Sequence, residues 1–339
     1  MKAVAYRASL PIAETLSLID IELPDPQVSG HDLLVQVKAV SVNPVDCKFR
    51  MRTPPPPGEA NVLGWDASGV VQAVGSEVTL FKPGDEVWYA GSIIRPGTNS
   101  ELHLVDERIV GHKPKSLSHA QAAAMPLTSI TAWELLFDRL GVLPGKSYGE
   151  QSLLIIGAAG GVGSILIQLA RRLTHMTVIA TASRAESMEW VHTLGAHHVI
   201  DHSKPLAEEL RKTGLANVTH VASLTKTDKH YADIVEILAP QGKLALIDDP
   251  DFSVINIGLL KRKSISLHWE LMFTRSLFGT PDMQAQHTLL CEMANLVDAG
   301  LIRTTLSEHL GTINADNLKR AHARIESGKT QGKIVLEGF

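Results

Sequence analysis

Between about residues 152 and 247, short apolar runs alternate with segments whose apolar residues recur at helical spacing. Runs of apolar residues too short for a helix are typical of buried strands, whereas the helical spacing gives one apolar face per segment. The pattern predicts strands at 152–156, 177–181, 198–200 and 243–247, and helices at 162–173 and 185–194. Alternation of this kind predicts a doubly wound parallel sheet covered by helices, an α/β fold.

The first 125 or so residues follow a different pattern. Residues 33–40 (LLVQVKAV) alternate apolar and polar positions, and proline and glycine turn signals separate the short runs. This pattern predicts an antiparallel, barrel-like domain. Near the other end, helices predicted at 284–299 and 315–327 lead into a strand at 333–336, which we expect to close onto the first domain. A length of 339 residues also favours two domains.

A glycine-rich turn follows the first strand of the parallel region, in the sequence 153–163 (LLIIGAAGGVG). A dinucleotide site needs small residues for a tight turn, for close approach of the pyrophosphate and for helix packing. Ala158, Gly160 and Gly163 are predicted to fill these three roles, and Gly161 and Val162 to begin the phosphate-binding helix. The alternative is a flexible turn between a buried strand and a core helix.

Composition excludes several classes of protein. The 32 Lys plus Arg and 36 Asp plus Glu residues give a slightly negative charge without a dense basic run, so nucleic acid is not an expected partner. The two cysteines, Cys47 and Cys291, form neither a disulfide framework nor a four-cysteine zinc site. No signal segment and no apolar run of membrane-spanning length is found, so a cytoplasmic location without a membrane partner is expected.

Several motifs together resemble the medium-chain dehydrogenase/reductase superfamily, in particular its zinc-free quinone oxidoreductase type. The motifs are 39–46 (AVSVNPVD), 63–71 (LGWDASGVV), 82–87 (KPGDEV), 126–132 (PLTSITA), the glycine turn and 332–336 (GKIVL). The resemblance implies a GroES-like β-barrel catalytic domain from residues 1–126 and 270–339, with a Rossmann NADPH-binding domain from 127–269 inserted. It also implies a homodimer joined through edge strands near 264–271.

The residues argue against a catalytic zinc. Where zinc-dependent members of the family have a cysteine and a Gly-His-Glu sequence, this chain has Asn43 and Gly64-Trp65-Asp66. An indole N–H cannot coordinate zinc, and a single carboxylate is a poor site. Cys47 is an alternative ligand without partners at usable sequence spacing, so a buried thiol is the simpler interpretation. His103, in an apparent strand, also has no second ligand nearby.

The second strand of the parallel region predicts NADPH rather than NADH. An NAD site usually has an acidic residue at the end of this strand, but here Ser183 and Arg184 follow it and could bind a 2'-phosphate. Alternatively, Ser183 and Glu186 form a capping box while Arg184 faces water. By resemblance, Thr128 lies near the nicotinamide and His202 near the adenine, and Lys333 lies close to the cofactor cleft. Packing roles remain open for these three.

Without a metal, conjugated acceptors such as quinones and enones are favoured because they already spread the incoming negative charge. Asn43 is the predicted catalytic residue, donating to the nicotinamide ribose or the acceptor carbonyl. Trp65 and Tyr89 are predicted to line the substrate pocket, or alternatively to fill the core. Asp46 is predicted to lie in the same pocket, or alternatively to cap a following helix.

Two other functions remain open. An enoyl-thioester reductase would need basic residues for a long phosphorylated substrate, which Arg50 and Arg52 near the proline-rich segment 53–58 could supply. An NADPH-binding interaction or redox-sensing protein with little turnover would explain why no proton donor is recognisable.

Overall fold

The computed structural model describes residues 1–145 and 149–339. It contains two compact units, of which the first comprises Met1–Ile130 and Phe273–Phe339 and the second comprises Thr131–Met272. These bounds lie close to those expected from the family resemblance. The assignment of the first unit to catalysis and the second to cofactor binding stays a prediction.

The second unit is built on a six-stranded parallel sheet. Its strands are β9 (Ser152–Ile156), β10 (Thr177–Thr181), β11 (His198–Ile200), β12 (Val218–Ser223), β13 (Leu238–Leu246) and β14 (Ser266–Trp269). The spatial order is β11-β10-β9-β12-β13-β14, and every neighbouring pair is parallel. Every residue of β9 is buried, as expected for a central strand that helices cover on both faces.

Helices connect these strands. They are α4 (Gly161–Leu173), α5 (Ala185–Thr193), α6 (Leu206–Lys212) and α7 (Thr227–Ile237), with a 3-10 segment at Ile257–Lys263 before β14. The chain leaves β9 for β10 on one side and later returns to place β12 on the other. The strand order therefore reverses between β9 and β12, and in doubly wound sheets nucleotides bind beyond the carboxyl ends of the strands at such a point. The predicted Rossmann sheet is confirmed.

The first unit contains two sheets. A three-stranded sheet has β1 (Lys2–Tyr6) between β2 (Ile19–Glu22) and β4 (Asn61–Val62). The strands of the larger sheet are β3 (Asp32–Val42), β5 (Ala67–Val74), β6 (Glu86–Tyr89), β7 (Leu102–Asp106), β8 (Val110–His112), β15 (Leu306–His309) and β16 (Lys333–Glu337). Antiparallel pairing of β16 with β3 joins the two ends of the chain, which confirms the prediction that the last strand closes onto the first domain.

The helices of the chain ends complete the first unit. They are α1 (Pro44–Arg52), α2 (His119–Ala123), α3 (Pro126–Trp133), α8 (Thr274–Phe278), α9 (Ala285–Asp298) and α10 (Ala315–Glu326). Helix α3 runs on past the end of this unit and continues as a π-helical turn, Glu134–Arg139. Short 3-10 turns lie at Thr15–Ser17 and Glu107–Ile109. Within the part of the chain that the structure describes, no helix combines the length and apolar character needed to cross a membrane.

Candidate functional site

A buried lysine lies where the resemblance places the catalytic metal. Lys333, the first residue of β16, is 3 % exposed, and its Nζ lies 3.0 Å from Asp66 Oδ2. The same ammonium donates to Asn43 Oδ1 and, at 3.3 Å, to the carbonyl oxygen of Val42. All three N–H bonds of the ammonium therefore have protein acceptors. We call Asn43, Asp66 and Lys333 the Lys333 cluster.

Asp66 is the anion of this cluster and immediately precedes β5. Its Oδ2 accepts from the Asn43 amide at 3.1 Å, and its Oδ1 accepts from the backbone N–H of Leu127 at 3.1 Å. Burial raises the pKa of Asp66, while the Lys333 ammonium and these hydrogen bonds lower it. The cluster thus joins the start of β16, the end of β3, the start of β5 and the first turn of α3.

The side-chain amide of Asn43 donates within the protein, although its sequence position suggested a donor to the cofactor or the substrate. Its amide nitrogen donates to Asp66 Oδ2 and, at 3.4 Å, to the carbonyl of Ser41, while its oxygen accepts from Lys333. Both amide hydrogens are therefore directed at protein acceptors. We correct the prediction that Asn43 donates to the ribose or acceptor carbonyl: in this structure the residue holds the Lys333 ammonium in place.

Asp46 caps the helix in which it lies. It occupies the first turn of α1, and its Oδ2 accepts from the backbone N–H of Asn43 at 2.6 Å. The side chain is buried, which raises its pKa to about 7 against the lowering effects of the Asn43 N–H and the Lys333 ammonium. The capping alternative thus describes the contacts of Asp46 better than a substrate-facing role does, although the capped helix is α1 itself.

Replacement of Asp46 by asparagine is expected to flatten the pH dependence of stability. An ordinary aspartate titrates near 3.8, whereas folded Asp46 titrates at about 7. Between these values the native state retains a proton that the unfolded chain has lost. The contribution of Asp46 is therefore greatest below pH ~4 and is lost as the pH rises through about 7, at no more than about 1.4 kcal/mol per pH unit. Urea unfolding at pH ~5 and ~8 measures this loss, and an equal loss in wild type and Asp46→Asn would contradict the assignment.

The two predicted aromatic pocket residues are enclosed by the protein. Trp65 is 2 % exposed, donates from Nε1 to the carbonyl of Ser92 at 3.1 Å, and packs edge-to-face on Phe49. Tyr89 is fully buried; its hydroxyl lies 3.1 Å from Nδ1 of His103, and the two rings stack. The core-filling alternative therefore describes the contacts of both residues, and their place in a substrate pocket stays a prediction. Both ring nitrogens of His103 have hydrogen-bond partners, the Tyr89 hydroxyl at Nδ1 and the Pro96 carbonyl oxygen at Nε2.

The donor set around Asp66 does not fit a catalytic zinc. Zinc in such sites binds thiolate, imidazole and carboxylate ligands, but here an amide and a lysine ammonium surround the carboxylate, and the Trp65 indole is directed at a carbonyl. The ammonium already supplies the positive charge that balances Asp66. A zinc ion at this point would have one anionic ligand and a cation within about 3 Å of that ligand.

The glycine turn has the geometry expected for binding a pyrophosphate, with one difference from the sequence prediction. Gly157, not Ala158, has the left-handed conformation of the tight turn, with φ of +80°. Gly163 packs so closely on the turn that a Cβ there would lie 2.5 Å from the Ala158 carbonyl oxygen. Gly161 and Val162 form the first turn of α4, where backbone N–H groups have no intrahelical acceptors and favour an anion.

Two glycine substitutions are expected to affect different properties, one the stability of the protein and the other its binding of NADPH. In Gly163→Ala the new methyl would clash with backbone atoms of Ala158, so we expect a loss of about 1–3 kcal/mol in the free energy of unfolding. In Gly160→Ala the nearest atom to the Cβ is the Gly157 carbonyl oxygen at 3.5 Å, so stability should be retained. A methyl at this position would instead obstruct a pyrophosphate and weaken NADPH binding. Thermal unfolding and NADPH titration measure the two effects, and identical profiles for the variants would contradict the assigned roles.

A basic cluster lies beyond the carboxyl ends of β10, β11 and β12. Ser183 and Arg184 follow β10 and are exposed, and Ser183 Oγ lies 3.3 Å from Nε2 of His202. Burial lowers the pKa of His202, and the charges of Lys226 and Arg184 lower it further, against the raising effect of the Asp201 carboxylate. Lys226 is exposed and lies in a left-handed conformation at the start of α7. The sequence around the end of β10 does not indicate it, because Lys226 follows β12. The basic cluster therefore comprises Arg184, His202 and Lys226.

The predicted capping box at Ser183 does not form. Helix α5 begins at Ala185, its N-cap position is Arg184, and no side chain caps it. Ser183 contacts His202 instead, and the Arg184 guanidinium donates to Ser187 Oγ at 3.2 Å. Ser183 is therefore not needed to cap the helix. Thr128, in contrast, is buried in α3 of the first unit, where its hydroxyl donates to the Met125 carbonyl.

Comparisons with known proteins agree with this architecture. Residues 29–118 match the family described as alcohol dehydrogenase GroES-like domain, and residues 194–336 match the family described as zinc-binding dehydrogenase. The chain is also 37 % identical over 338 residues to a Staphylococcus epidermidis protein named zinc-type alcohol dehydrogenase-like protein, covering 99 % of each.

The chain belongs to the medium-chain dehydrogenase/reductase superfamily.

This superfamily member is also similar to solved structures over its whole length. A Rhizobium etli CFN 42 protein provisionally named a zinc-dependent alcohol dehydrogenase is 61 % identical, with a TM-score of 0.96 and coverage of 100 % of this chain and 98 % of the other. The Escherichia coli quinone oxidoreductase complexed with NADPH is 26 % identical, with a TM-score of 0.82 and coverage of 99 % and 100 %. The predicted fold and family are confirmed, and the protein is an oxidoreductase of this superfamily.

Proposed function

We propose that this protein is a zinc-independent, NADPH-dependent oxidoreductase that transfers hydride to a quinone or another conjugated carbonyl compound. The observation that carries the proposal is the Lys333 ammonium, held by Asn43 and Asp66 at the position where zinc-dependent members bind their metal. A zinc ion polarises an alcohol or carbonyl oxygen directly. The ammonium has no N–H bond left for a substrate, so it does not replace this polarisation.

The absence of a polarising group from this cluster favours an acceptor that is already activated. Hydride addition to a saturated ketone places a full negative charge on one oxygen, which needs strong electrostatic stabilisation. In a quinone or enone, conjugation spreads that charge, so positioning against the hydride donor supplies most of the catalysis. For a quinone, the hydride supplies one hydrogen of the hydroquinone, and water can supply the one remaining proton. Asn43, Asp66 and Lys333 are positioning residues in this account.

The cofactor assignment depends on the second unit. NADPH supplies the hydride when it is bound. The N-terminus of α4 would hold the pyrophosphate, and Ser183 together with the basic cluster would hold the 2'-phosphate through charge-assisted hydrogen bonds. The chain lacks an acidic residue at the end of β10 that would repel this phosphate. Its similarity to a quinone oxidoreductase complexed with NADPH supports the same proposal.

A turnover panel with the full chain tests the proposed function. We expect NADPH oxidation with 9,10-phenanthrenequinone and 1,4-benzoquinone, slower oxidation of NADH, and no NADP⁺ reduction by a simple secondary alcohol. Activity on crotonyl-CoA with none on quinones would instead identify an enoyl-thioester reductase. NADPH binding without turnover of any acceptor would identify a binding or redox-sensing protein, and alcohol oxidation would contradict the proposal.

We also propose that the protein forms a homodimer through β14, the edge strand of the six-stranded sheet. Trp269 at the end of β14 and Leu271 just after it are about half exposed, at 46 % and 50 %. Large apolar side chains beside an unpaired strand edge favour pairing with a second copy. Light scattering of wild type and Trp269→Lys tests this: a dimer is expected for the first and a monomer for the second, and a monomeric wild type would contradict it.

A further inference from the structure

Two helices of the first unit bring together three side chains that are metal ligands in many proteins. Cys47 lies in α1, and His322 and Glu326 lie one turn apart in α10. One potential ligand atom from each residue lies within 4.8 Å of the other two. Cys47 and His322 are buried, and the Glu326 side chain is 34 % exposed, which leaves one side of the group open to solvent.

The spacing of the buried pair suits a tetrahedral ion. Cys47 Sγ lies 3.4 Å from His322 Nδ1. Zinc–sulfur and zinc–nitrogen bonds of ordinary length, meeting at the tetrahedral angle, place the two ligand atoms about 3.6 Å apart. The separation of these two atoms is therefore close to the one that an ion bound by both of them requires. The combination of sulfur, nitrogen and carboxylate oxygen favours zinc over calcium or magnesium.

The charge state of the imidazole also suits metal binding. Burial and the neighbouring Arg50 lower the pKa of His322 to about 3, so its ring is neutral at physiological pH and keeps a lone pair for a ligand bond. Burial raises the pKa of the Cys47 thiol, so an ion must displace the thiol proton to solvent when the Sγ–metal bond forms.

Arg50 is the main opposing charge. Its buried guanidinium donates to the carboxylate of Glu326 and to the carbonyl oxygen of Leu10. A divalent ion with the thiolate of Cys47 and the carboxylate of Glu326 is neutral, so Arg50 would face a neutral group and could keep its hydrogen bond to Glu326. Ligating carboxylates commonly accept such a bond, which orients them toward the metal.

We propose that Cys47, His322 and Glu326 form an exchangeable zinc site that links α1 to α10. Water from the exposed side supplies the fourth ligand, since three protein ligands leave one tetrahedral position open. The site shares no residue with the Lys333 cluster, and the proposal does not depend on the proposed function. Within the described residues, no other group of at least three histidine, cysteine or acidic side chains has this proximity.

Metal analysis of the full-length protein tests the site. After removal of metal with a chelator and equilibrium dialysis against Zn²⁺, wild type should retain about one more zinc ion per chain than Cys47→Ser or His322→Gln. With Co²⁺ as a probe, wild type should show a thiolate-to-cobalt absorption band that Cys47→Ser lacks. Circular dichroism of each variant establishes that it is folded.

Cys291→Ser is the matched control. Cys291 also lies beside an imidazole, with its Sγ 3.8 Å from His287 Nε2, but no third ligand joins them among the described residues. This variant should retain both the zinc and the cobalt band. Equal zinc retention by wild type and folded Cys47→Ser, or loss of the band only in Cys291→Ser, would overturn the proposal. Cys47 and His322 would then form only a thiol–imidazole hydrogen bond that packs the two helices together.

Discussion

Replacement of Lys333 by methionine is expected to lower the free energy of unfolding by about 3–5 kcal/mol and to remove most quinone turnover. Methionine retains much of the side-chain volume but leaves the fully buried Asp66 carboxylate without its counter-ion. Urea unfolding and NADPH oxidation with 9,10-phenanthrenequinone measure the two effects. A Lys333→Met protein as stable and as active as wild type would show that this ion pair is unimportant.

The double variant Lys333→Met/Asp66→Asn separates stability from positioning. Neutralising Asp66 removes the uncompensated charge, so we expect stability to recover by more than half. Turnover should stay low, because the hydrogen bonds by which the ammonium joins the start of β16 to the end of β3 and to Asp66 are still missing. Lys113→Met is a matched control: Lys113 is also a buried lysine of the first unit, but its partner Glu86 is about half exposed, so its loss should cost less.

The second large effect is expected at the basic cluster. Replacement of Arg184 or Lys226 by glutamate should raise the KM for NADPH by about 10- to 100-fold, the equivalent of one charge-assisted hydrogen bond. The KM for NADH should change little, because NADH lacks the 2'-phosphate. Steady-state kinetics with both cofactors tests this, and equal changes for NADPH and NADH would contradict the proposed phosphate site.

Arg172→Glu is the control for this pair of variants. Arg172 is exposed in the last turn of α4, at the opposite end of the helix from the proposed phosphate site. The Arg172→Glu substitution changes the net charge by the same amount as Arg184→Glu. Both KM values should therefore stay near those of wild type, and a loss of NADPH affinity in this variant would indicate a general effect of charge.

The Rossmann sheet was predictable because its signals are local. Each strand and the helix that follows it carry their own periodicity, so β9, α4 and β10 were predicted to within one residue of their bounds. The turn between them was less accurate: Ala158 was assigned the tight conformation that Gly157 adopts. Small residues at neighbouring positions satisfy the same sequence pattern, and only the backbone angles distinguish them.

The candidate site could be predicted only in part, because its contacts join distant parts of the chain. The sequence excluded zinc ligands at Asn43 and Trp65, and the resemblance placed Lys333 close to the cofactor cleft. Neither indicated that Lys333, 290 residues from Asn43, would place its ammonium on Asn43 and Asp66. Sequence spacing gives Cys47 no partner, whereas the fold places His322 beside it across 275 residues. Local spacing cannot reveal either contact.

Side-chain competition explains the remaining differences. The sequence around Ser183 fits a capping box, but His202 binds the Ser183 hydroxyl and α5 begins without a side-chain cap. Asn43 has an amide suited to a substrate, but that amide hydrogen-bonds to Asp66 and Lys333 instead. In both cases the residue type was consistent with the predicted role, and a partner from elsewhere in the chain decided the contact.

The most direct test of zinc-independent reduction is quinone turnover by metal-stripped protein, with the zinc content measured before and after. The assay uses NADPH and is repeated with Cys47→Ser, which lacks a ligand of the proposed exchangeable site. We predict that both stripped proteins reduce 9,10-phenanthrenequinone and that added zinc does not raise kcat. Turnover that is absent until zinc is restored, in Cys47→Ser as well as in wild type, would show that a metal acts at another site and would contradict the account.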